Sequence, residues 1–305
     1  MKVIVTGAAG HLGAAMVEEF ASAHDVAPLG RLELDIADRV GVARALKAFA
    51  PDAVINCAAY TDVDAAQDHP VQALEINALG VMALARAAAE CGAALVHFST
   101  DFVFNGRTDR PYVETDEPCP ESFYGCSKLL GEYLAEDAPR HYVLRVASIF
   151  GGPTAGATAR DGSLGTIVRM LKDGKEIAVF TDRTASPSYA PDIASATRAL
   201  LERRLPCGLY HCVNSGAATW HEIAAEAAAV LGVAARLKPI TLDGMTLAAP
   251  RPKYSALNPG KLEALGIPMR SWQDAVRDWL HGGQSVRPSD RRLHEIRGHV
   301  PDRET

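Results

Sequence analysis

Residues 2–13 read Lys2-Val3-Ile4-Val5-Thr6-Gly7-Ala8-Ala9-Gly10-His11-Leu12-Gly13. Residues 2–6 form an apolar, β-branched run, which is typical of a strand buried on both faces of a parallel sheet. The three glycines that follow permit a tight turn, close approach of the backbone to a pyrophosphate, and close packing of the next helix. The stretch therefore predicts a dinucleotide-binding strand, loop and helix. The alternative is a plain glycine-rich turn.

Strand and helix patterns alternate through the first half of the chain. Buried-strand patterns lie at 25–29, 53–57, 94–98 and 141–146, and helical patterns lie at 11–23, 38–49, 70–91 and 124–135. A parallel sheet with helices on both faces accommodates this alternation most simply. We predict an α/β, Rossmann-type doubly wound sheet at 1–150, completed by a helix near 190–204. A smaller α/β substrate-binding lobe is expected at 151–283, and a disordered tail at 284–305.

Composition excludes several classes of partner. The net charge of −6 and the lack of a basic stripe argue against a nucleic-acid partner. No signal core and no long apolar run is evident, so we expect no membrane partner and a cytoplasmic location. The six cysteines form no Cys-x-x-Cys pair, which favours reduced thiols. No metal site is predicted.

Tyr124 and Lys128 form a Tyr-x-x-x-Lys pair. In a helix these two side chains lie one turn apart on the same face. A nearby ammonium group favours the phenolate and lowers the pKa of a tyrosine, which is otherwise about 10. The pair therefore predicts a proton donor, although the same spacing also occurs by chance on exposed helices.

Two other segments bear on a cofactor. Gly30-Arg31 follows the second strand, where an arginine can meet the 2′-phosphate of NADP(H). This favours NADPH, with NADH as the alternative. Asp35 and Ile36 could cover the adenine, or Asp35 could cap the next helix. The small residues Ala58 and Ala59 at the end of the third strand leave room for a cofactor.

Taken together, four motifs resemble those of the extended short-chain dehydrogenase/reductases. They are the glycine-rich motif, Ser99-Thr100-Asp101, Tyr124-x-x-x-Lys128 and Ser186-Pro187-Ser188-Tyr189. Three further stretches are similar to dTDP-4-dehydrorhamnose reductases: Asn56 to Ala66, Ser99 to Phe104, and Gly208-Leu209-Tyr210-His211. The resemblance covers roughly residues 1–283.

This resemblance implies a reductase of the 4-keto group of a nucleotide-activated deoxysugar. Tyr124 would donate a proton to the ketone oxygen, Lys128 would lower the pKa of Tyr124 and hold the nicotinamide ribose, and Thr100 would bind the reacting oxygen. The expected cofactor contacts are Gly7, Gly10, His11, Leu12, Gly13, Arg31, Asp35, Ile36, Ala58, Ala59, Tyr60, Thr61, Ser99, Tyr124 and Lys128. The expected substrate contacts are Thr100, Asp101, Phe102, Ser148 and Arg183.

The chain departs from the rhamnose-forming members at three of these positions. Ser148 stands where they usually have a tryptophan that contacts the sugar, and Phe102 stands where they tend to have tyrosine. Arg183 replaces a more frequent glutamine; it adds a charge near the expected nucleotide-phosphate end, or it is a surface residue. These changes leave the proton chemistry in place but not the identity of the sugar.

Two other functions stay open at this point. One is a sugar-nucleotide epimerase of the same superfamily, which keeps its NAD bound. The other is a non-catalytic NADP-binding regulatory subunit, because the β subunit of methionine adenosyltransferase has similar motifs. A homodimer is also left open.

Overall fold

Parallel strands form the central sheet. The computed structural model describes residues 1–152 and 162–282, with strands at β1 (Lys2–Thr6), β2 (Asp25–Leu29), β3 (Ala53–Asn56), β4 (Ala94–Thr100), β5 (His141–Val146), β6 (Ile149–Phe150), β7 (Glu176–Phe180), β8 (Thr184–Ala185), β9 (Ser188–Tyr189), β10 (Gly208–His211), β11 (Ala218–Thr219) and β12 (Arg236–Ile240). Six of them form one sheet in the order β10-β5-β4-β3-β1-β2, and every pairing in it is parallel.

Helices follow most of these strands. They are α1 (His11–Ala21), α2 (Arg39–Phe49), α3 (Val63–Asp68), α4 (Pro70–Leu74), α5 (Gly80–Cys91), α6 (Phe123–Ala135), α7 (Ser163–Lys172), α8 (Ala190–Glu202), α9 (Trp220–Leu231), α10 (Gly260–Ala264) and α11 (Trp272–Leu280). A π-helical segment, Glu75–Leu79, joins α4 to α5, and short 3₁₀ turns lie at Asp101–Val103 and Leu242–Gly244.

Successive residues of the inner strands point to opposite faces of the sheet, and each face has its own core. Val3 and Val5 of β1 pack on the side of α1 and α8, whereas Ile4 packs on the side of α2 and α5. Because both faces are covered, the strands are apolar throughout instead of alternating. The doubly wound sheet predicted from the sequence is confirmed.

Two elements from the second half of the chain return to this sheet. Helix α8, which lies in the region near 190–204 that the sequence assigns to the sheet domain, packs against α1. Strand β10 adds to the edge of the sheet beside β5, and this return is absent from the sequence-based assignment. The sheet therefore draws on residues beyond 150, and the boundary placed there remains a prediction.

A second, smaller core lies in the C-terminal part of the chain. It is formed by α7, α9, α11 and the β7–β12 pair. Helix α9 begins with a capping box, in which Thr219 accepts from the Glu222 N–H and the Glu222 side chain accepts from the Thr219 N–H. Two backbone N–H groups at the start of the helix are thereby satisfied. The tail predicted at 284–305 lies outside the described residues.

The helical region Pro70–Cys91 is long and apolar enough to cross a membrane by length and composition. It is the single such region within the residues described, and half of its apolar window is buried. Its α5 part packs against the sheet. We therefore interpret it as a core helix of the sheet domain.

The π-helical segment lies directly against α6. A Cβ atom on Gly131 would lie 2.2 Å from the carbonyl oxygen of Asn77 and 3.1 Å from the imidazole of His97. The contact is with backbone, which cannot rotate away. Glycine is thus required at position 131 for α6 to approach the segment.

Gly131→Ala is expected to destabilise the fold by about 3 kcal/mol, because the added methyl group has to displace α6 or the Asn77 backbone. Gly244→Ala serves as the control, since a Cβ there would meet nothing nearer than 3.8 Å. Denaturant unfolding of both variants measures the difference. Equal stability of the two would contradict the role given to Gly131.

Candidate active site

Two glycines of the glycine-rich loop, Gly7 and Gly13, have no room for a Cβ atom, whereas the third, Gly10, has room for one. Gly7 has φ +62°, and a Cβ there would lie 2.6 Å from the Ala58 nitrogen. A Cβ on Gly13 would lie 2.2 Å from the Gly7 carbonyl oxygen. Gly10 is exposed at the N-cap of α1, and its Cβ would meet only the Gly7 oxygen, at 3.4 Å. The space beside Gly10, at the start of a helix, is therefore open to a ligand.

The next two residues of α1 differ in exposure. His11 is partly buried and Leu12 packs into the core, so Leu12 can face a ligand only with its backbone. After β3, Ala58, Ala59 and Tyr60 are partly buried and Thr61 is exposed. These residues line the same carboxyl edge of the sheet as the glycine-rich loop.

The segment after β2 lies at one end of this edge. Arg31 is exposed, whereas Ile36 is buried against Gly80. Strands β1 and β3 separate β2 from β4, so its end lies about 14 Å from the end of β4 at the usual strand spacing. An extended dinucleotide could span that distance.

The alternative role given to Asp35 is wrong. The N-cap of α2 is Asp38, whose carboxylate accepts from the Val40 N–H. Asp35 instead accepts from the Ala37 N–H at 3.0 Å, within the turn that precedes the helix. Asp38 is correctly spaced because an Asx side chain reaches the N–H two or three residues onward.

At the end of β4, the Thr100 hydroxyl contacts the Tyr124 side chain. Thr100 hydrogen-bonds with the Tyr124 side chain and donates to Asp101 Oδ1 at 3.1 Å. Helix α6 approaches this turn closely, because a Cβ on Gly125 would lie 2.3 Å from the Phe102 carbonyl oxygen. The Phe102 ring packs edge-on against the Tyr124 ring, with centroids 5.7 Å apart. The N-cap Ser122 accepts from the Gly125 N–H and fixes the start of α6.

Burial raises the pKa of Tyr124 to about 12, although its side chain as a whole is partly exposed. The hydrogen bond with Thr100 lowers this pKa, and the neighbouring Asp101 carboxyl raises it. The phenol is therefore protonated at neutral pH. Its hydroxyl is available to a ligand as a hydrogen-bond or proton donor.

Lys128 does not act on Tyr124 as the sequence predicts. Its amino group is buried, donates to the carbonyl of Phe98 in β4, and lies 3.5 Å from His97 Nε2. Burial lowers the pKa of Lys128 to about 8, while the Glu132 carboxylate and Cys57 oppose that shift. The four-residue spacing correctly predicts the helix face, but the sheet beneath it provides the partners.

Asn77 is a site residue to which the sequence analysis assigns no role. Its Oδ1 accepts from the Tyr60 N–H at 2.8 Å, and its Nδ2 donates to the Tyr60 carbonyl and to Ser127 Oγ at 3.0 Å each. Ser127 in turn donates to the Tyr124 carbonyl at 2.8 Å. One buried amide thus ties the loop after β3 to the first turn of α6. The signal available was a polar residue inside an apolar helix.

Ser99 faces away from this convergence. Its hydroxyl donates to Glu132, whose carboxylate also accepts two hydrogen bonds from Arg145, at 2.8 and 2.7 Å. All three residues are buried. The pair holds α6 on the sheet, and any ligand contact of Ser99 would have to come from its backbone.

Residues of the second lobe contact the site at Asp101. Ser255 donates to Asp101 Oδ2, and Arg183 lies close enough to act on the Asp101 carboxyl, whose pKa burial raises. Burial lowers the pKa of Arg183, and its Nε is buried with no hydrogen-bond partner within 1–152 and 162–282. Arg251 adds a further positive charge above the Phe102 ring, with 5.9 Å between guanidinium carbon and centroid.

Ser148 follows β5 at the same edge and has φ +45°, a left-handed conformation that is strained for serine. Its carbonyl accepts from the Ser188 N–H. The other predicted substrate residues, Thr100, Asp101, Phe102 and Arg183, contact one another or share neighbours. Ser148 instead contacts Ser188 of β9.

A family model described as the RmlD substrate binding domain matches residues 1–284. The chain is 36% identical, over 294 residues, to the dTDP-4-dehydrorhamnose reductase of Burkholderia thailandensis, which covers 90% of this chain and 97% of that protein. The chain belongs to the dTDP-4-dehydrorhamnose reductase family. Another relative is the spore coat polysaccharide biosynthesis protein SpsK of Bacillus subtilis, at 34% identity over 93% of this chain and 99% of that protein.

Solved structures agree with this assignment to the reductase family. The crystal structure of the Bacillus anthracis dTDP-4-dehydrorhamnose reductase in complex with NADP superposes with a TM-score of 0.86 at 32% identity. It covers 92% of this chain and 98% of that one. Both the sheet domain and the second lobe are therefore shared with a member of the family.

Lys128→Met is expected to stabilise the protein by about 2 kcal/mol at pH 7, because it removes a buried charge at the loss of one hydrogen bond. The pKa of Lys128 is lowered from 10.5 to about 8. Below pH 8 the lysine is protonated in both the folded and the unfolded state, and the full free-energy cost of burying its charge is present. Between these pKa values only the unfolded state keeps the proton, so the free energy of unfolding of the wild type rises with pH.

The advantage of the methionine variant should therefore shrink between pH 7 and pH 10, as measured by denaturant unfolding at each pH. Lys47→Met, on the exposed last turn of α2, is the control and should change stability by less than about 0.5 kcal/mol. A Lys128→Met variant that is less stable than the wild type at pH 7 would refute this account.

Proposed function

We propose that this protein is an NADPH-dependent reductase that converts the 4-keto group of a nucleotide-activated deoxysugar, of the dTDP-4-dehydrorhamnose type, to a hydroxyl group. The observation that carries the proposal is the Tyr124 hydroxyl, which Thr100 hydrogen-bonds at the carboxyl edge of the sheet. Family membership and the NADP complex of the Bacillus anthracis relative support it.

The residues at the sheet edge fit a dinucleotide. Gly10 leaves open space at the N-terminus of α1, where backbone N–H groups favour a pyrophosphate. Exposed Arg31 would hold the 2′-phosphate, and Lys128 would hold the nicotinamide ribose. Further contacts would come from Gly7, His11, Leu12, Gly13, Asp35, Ile36, Ala58, Ala59, Tyr60, Thr61 and Ser99. When bound, NADPH supplies the hydride.

Tyr124 would provide the proton. Its pKa near 12 keeps the phenol protonated at neutral pH, so it can donate to an oxygen on which negative charge develops. The tyrosinate left behind would be stabilised by the Thr100 hydroxyl, whose hydrogen bond lowers the pKa of Tyr124. Asn77 would keep the first turn of α6 and the Tyr60 loop in register while this happens.

The substrate would lie between the sheet edge and the second lobe. Arg183, whose Nε has no hydrogen-bond partner within 1–152 and 162–282, would hold the nucleotide diphosphate. Arg251 is paired with Asp64 at 2.8 Å and would contribute less charge. Asp101, Phe102 and Ser148 would contact the sugar. The 151–283 lobe as the substrate-binding unit, the homodimer and the cytoplasmic location remain predictions.

Tyr124→Phe tests the reaction. Oxidation of NADPH, followed by absorbance with dTDP-4-keto-6-deoxy-L-mannose, should fall by about 10³-fold in the variant, because the general acid is removed. NADPH binding, followed by fluorescence, should be retained. Tyr133→Phe, an exposed tyrosine on the same helix, is the matched control and should turn over normally.

Turnover in the Tyr124→Phe variant would rule out this mechanism. A purified wild type that retains NAD and interconverts sugar epimers would indicate the epimerase alternative. Binding of NADPH with no turnover by the wild type, together with co-purification of an adenosyltransferase, would indicate the regulatory subunit.

Arg31→Ser should change cofactor preference and leave the chemistry intact. Loss of a charge-assisted contact to the 2′-phosphate is expected to lower the ratio of kcat/KM for NADPH over NADH by roughly 10- to 100-fold. Arg236→Ser, an exposed arginine in β12, controls for net charge. An unchanged NADPH/NADH ratio would assign the 2′-phosphate to another group.

A further inference from the structure

A chain of buried polar groups runs beneath the site from β1 to α6. Thr6 Oγ1 donates to Asn56 Oδ1 at 2.7 Å, Asn56 Nδ2 lies 3.2 Å from His97 Nδ1, and His97 Nε2 lies 3.5 Å from the Lys128 amino group. All four side chains are at most 3% exposed. Burying four polar groups beneath an apolar sheet costs free energy unless they are hydrogen-bonded. Each contact therefore needs a donor that faces an acceptor.

The backbone fixes those directions. The Asn56 Oδ1 atom also accepts from the Ala58 N–H at 3.2 Å, and a backbone N–H can only donate. The amide of Asn56 is thereby oriented with its NH₂ group toward His97. The Nδ1 atom of His97 is then the acceptor, and the ring proton of the neutral imidazole lies on Nε2.

This tautomer aims an N–H group at Lys128. An ammonium group carries only hydrogens and cannot accept from it, whereas a neutral amine has a lone pair that can. His97 stays neutral at the pH values considered, because burial and the Lys128 charge hold its pKa well below the usual range. The imidazole therefore opposes a charge on Lys128 from the side of the sheet.

We propose that His97 is a positioning residue for Lys128, whose ring N–H, oriented through Asn56, faces the lysine nitrogen and makes it readier to release a proton. The relevance of this for catalysis rests on the proposed function, whereas the interaction itself does not. A lysine that exchanges its proton near neutral pH would serve as an acid or base for a ligand bound at the edge of the sheet.

Other groups around Lys128 act in known directions. Glu132, one turn further along α6, favours the ammonium form, but its carboxylate is shared with Arg145. Cys57, after β3, is partly buried, and desolvation raises the pKa of its thiol, which stays neutral. Tyr124 is protonated, as described above. His97 is thus the neighbour whose orientation can be changed without adding or removing a charge.

The test is the titration of Lys128, followed by NMR on protein with carbon-13-labelled lysine; the signal is assigned by its absence in Lys128→Met. His97→Gln places an amide near the Nε2 position, where its oxygen can accept from an ammonium group. The Lys128 pKa should rise by about one unit, which is a tenfold change in proton affinity. His211→Gln, at another buried histidine of the same sheet, should leave it unchanged.

An unchanged Lys128 pKa in His97→Gln, or an equal rise in His211→Gln, overturns the proposal. If the glutamine variant does not fold, His97→Asn decides, because its amide retains the contact with Asn56 and removes the N–H opposite Lys128. The pKa should again rise, and no rise overturns the proposal. The titration needs neither substrate nor NADPH, so its result stands apart from any failure of the reductase assay.

If the reductase assay shows turnover, the pH profile of the activity provides a second readout. Activity should fall as pH rises through the Lys128 pKa, and the alkaline limb of kcat/KM should move up by about one pH unit in His97→Gln. A purely structural role for His97 would lower the rate at every pH and leave the limb in place.

Discussion

The burial of the Lys128 amino group between α6 and the sheet is the constraint on which the site depends. Within 1–152 and 162–282 the amino group donates to the Phe98 carbonyl and lies 3.5 Å from the His97 imidazole, so it is less well solvated than it would be in water. Close approach of α6 is what buries it, and that approach requires Gly125 and Gly131, where a Cβ would strike backbone atoms of the facing segments. The Glu132–Arg145 pair then holds the helix in place from the opposite end. Stability is given up at this one position, because a titratable nitrogen is held in the interior between α6 and β4.

The parts of the fold that the sequence predicts well are those that local patterns determine. An apolar run before Gly7 identifies the first strand and its turn, and the Thr219–Glu222 spacing identifies a helix start. Strand β10 is different, because its four residues pair with residues of β5 that lie 66 positions earlier in the chain. No local sequence pattern indicates which strand becomes its neighbour. Which strand occupies the edge of the sheet depends on tertiary packing between elements that are distant in the sequence.

The same distinction applies to the site. The Tyr124 and Lys128 pair is visible as a spacing, and the spacing correctly predicts a shared helix face. What Lys128 contacts depends on the strand below, so the expected effect on the phenol pKa is not found, and burial raises that pKa instead. Asn77 and His97 are conspicuous in the sequence only as polar residues in apolar surroundings. Their partners, the Tyr60 backbone and the Asn56 amide, lie on elements distant in sequence.

The π-helical segment at Glu75–Leu79 has a consequence for the helix that contains it. A π turn accommodates one more residue than an α turn, so residues after it are rotated by roughly 100° about the axis relative to an uninterrupted helix. The face that α4 turns toward α6 and the face that α5 turns toward the sheet are therefore out of phase in sequence. Because the helix packs against neighbours in two directions, more of its positions are apolar than in a helix with one buried face, which raises the mean hydropathy of the region. One inserted residue therefore allows a single helix to pack against both α6 and the sheet, which lie in different directions from its axis.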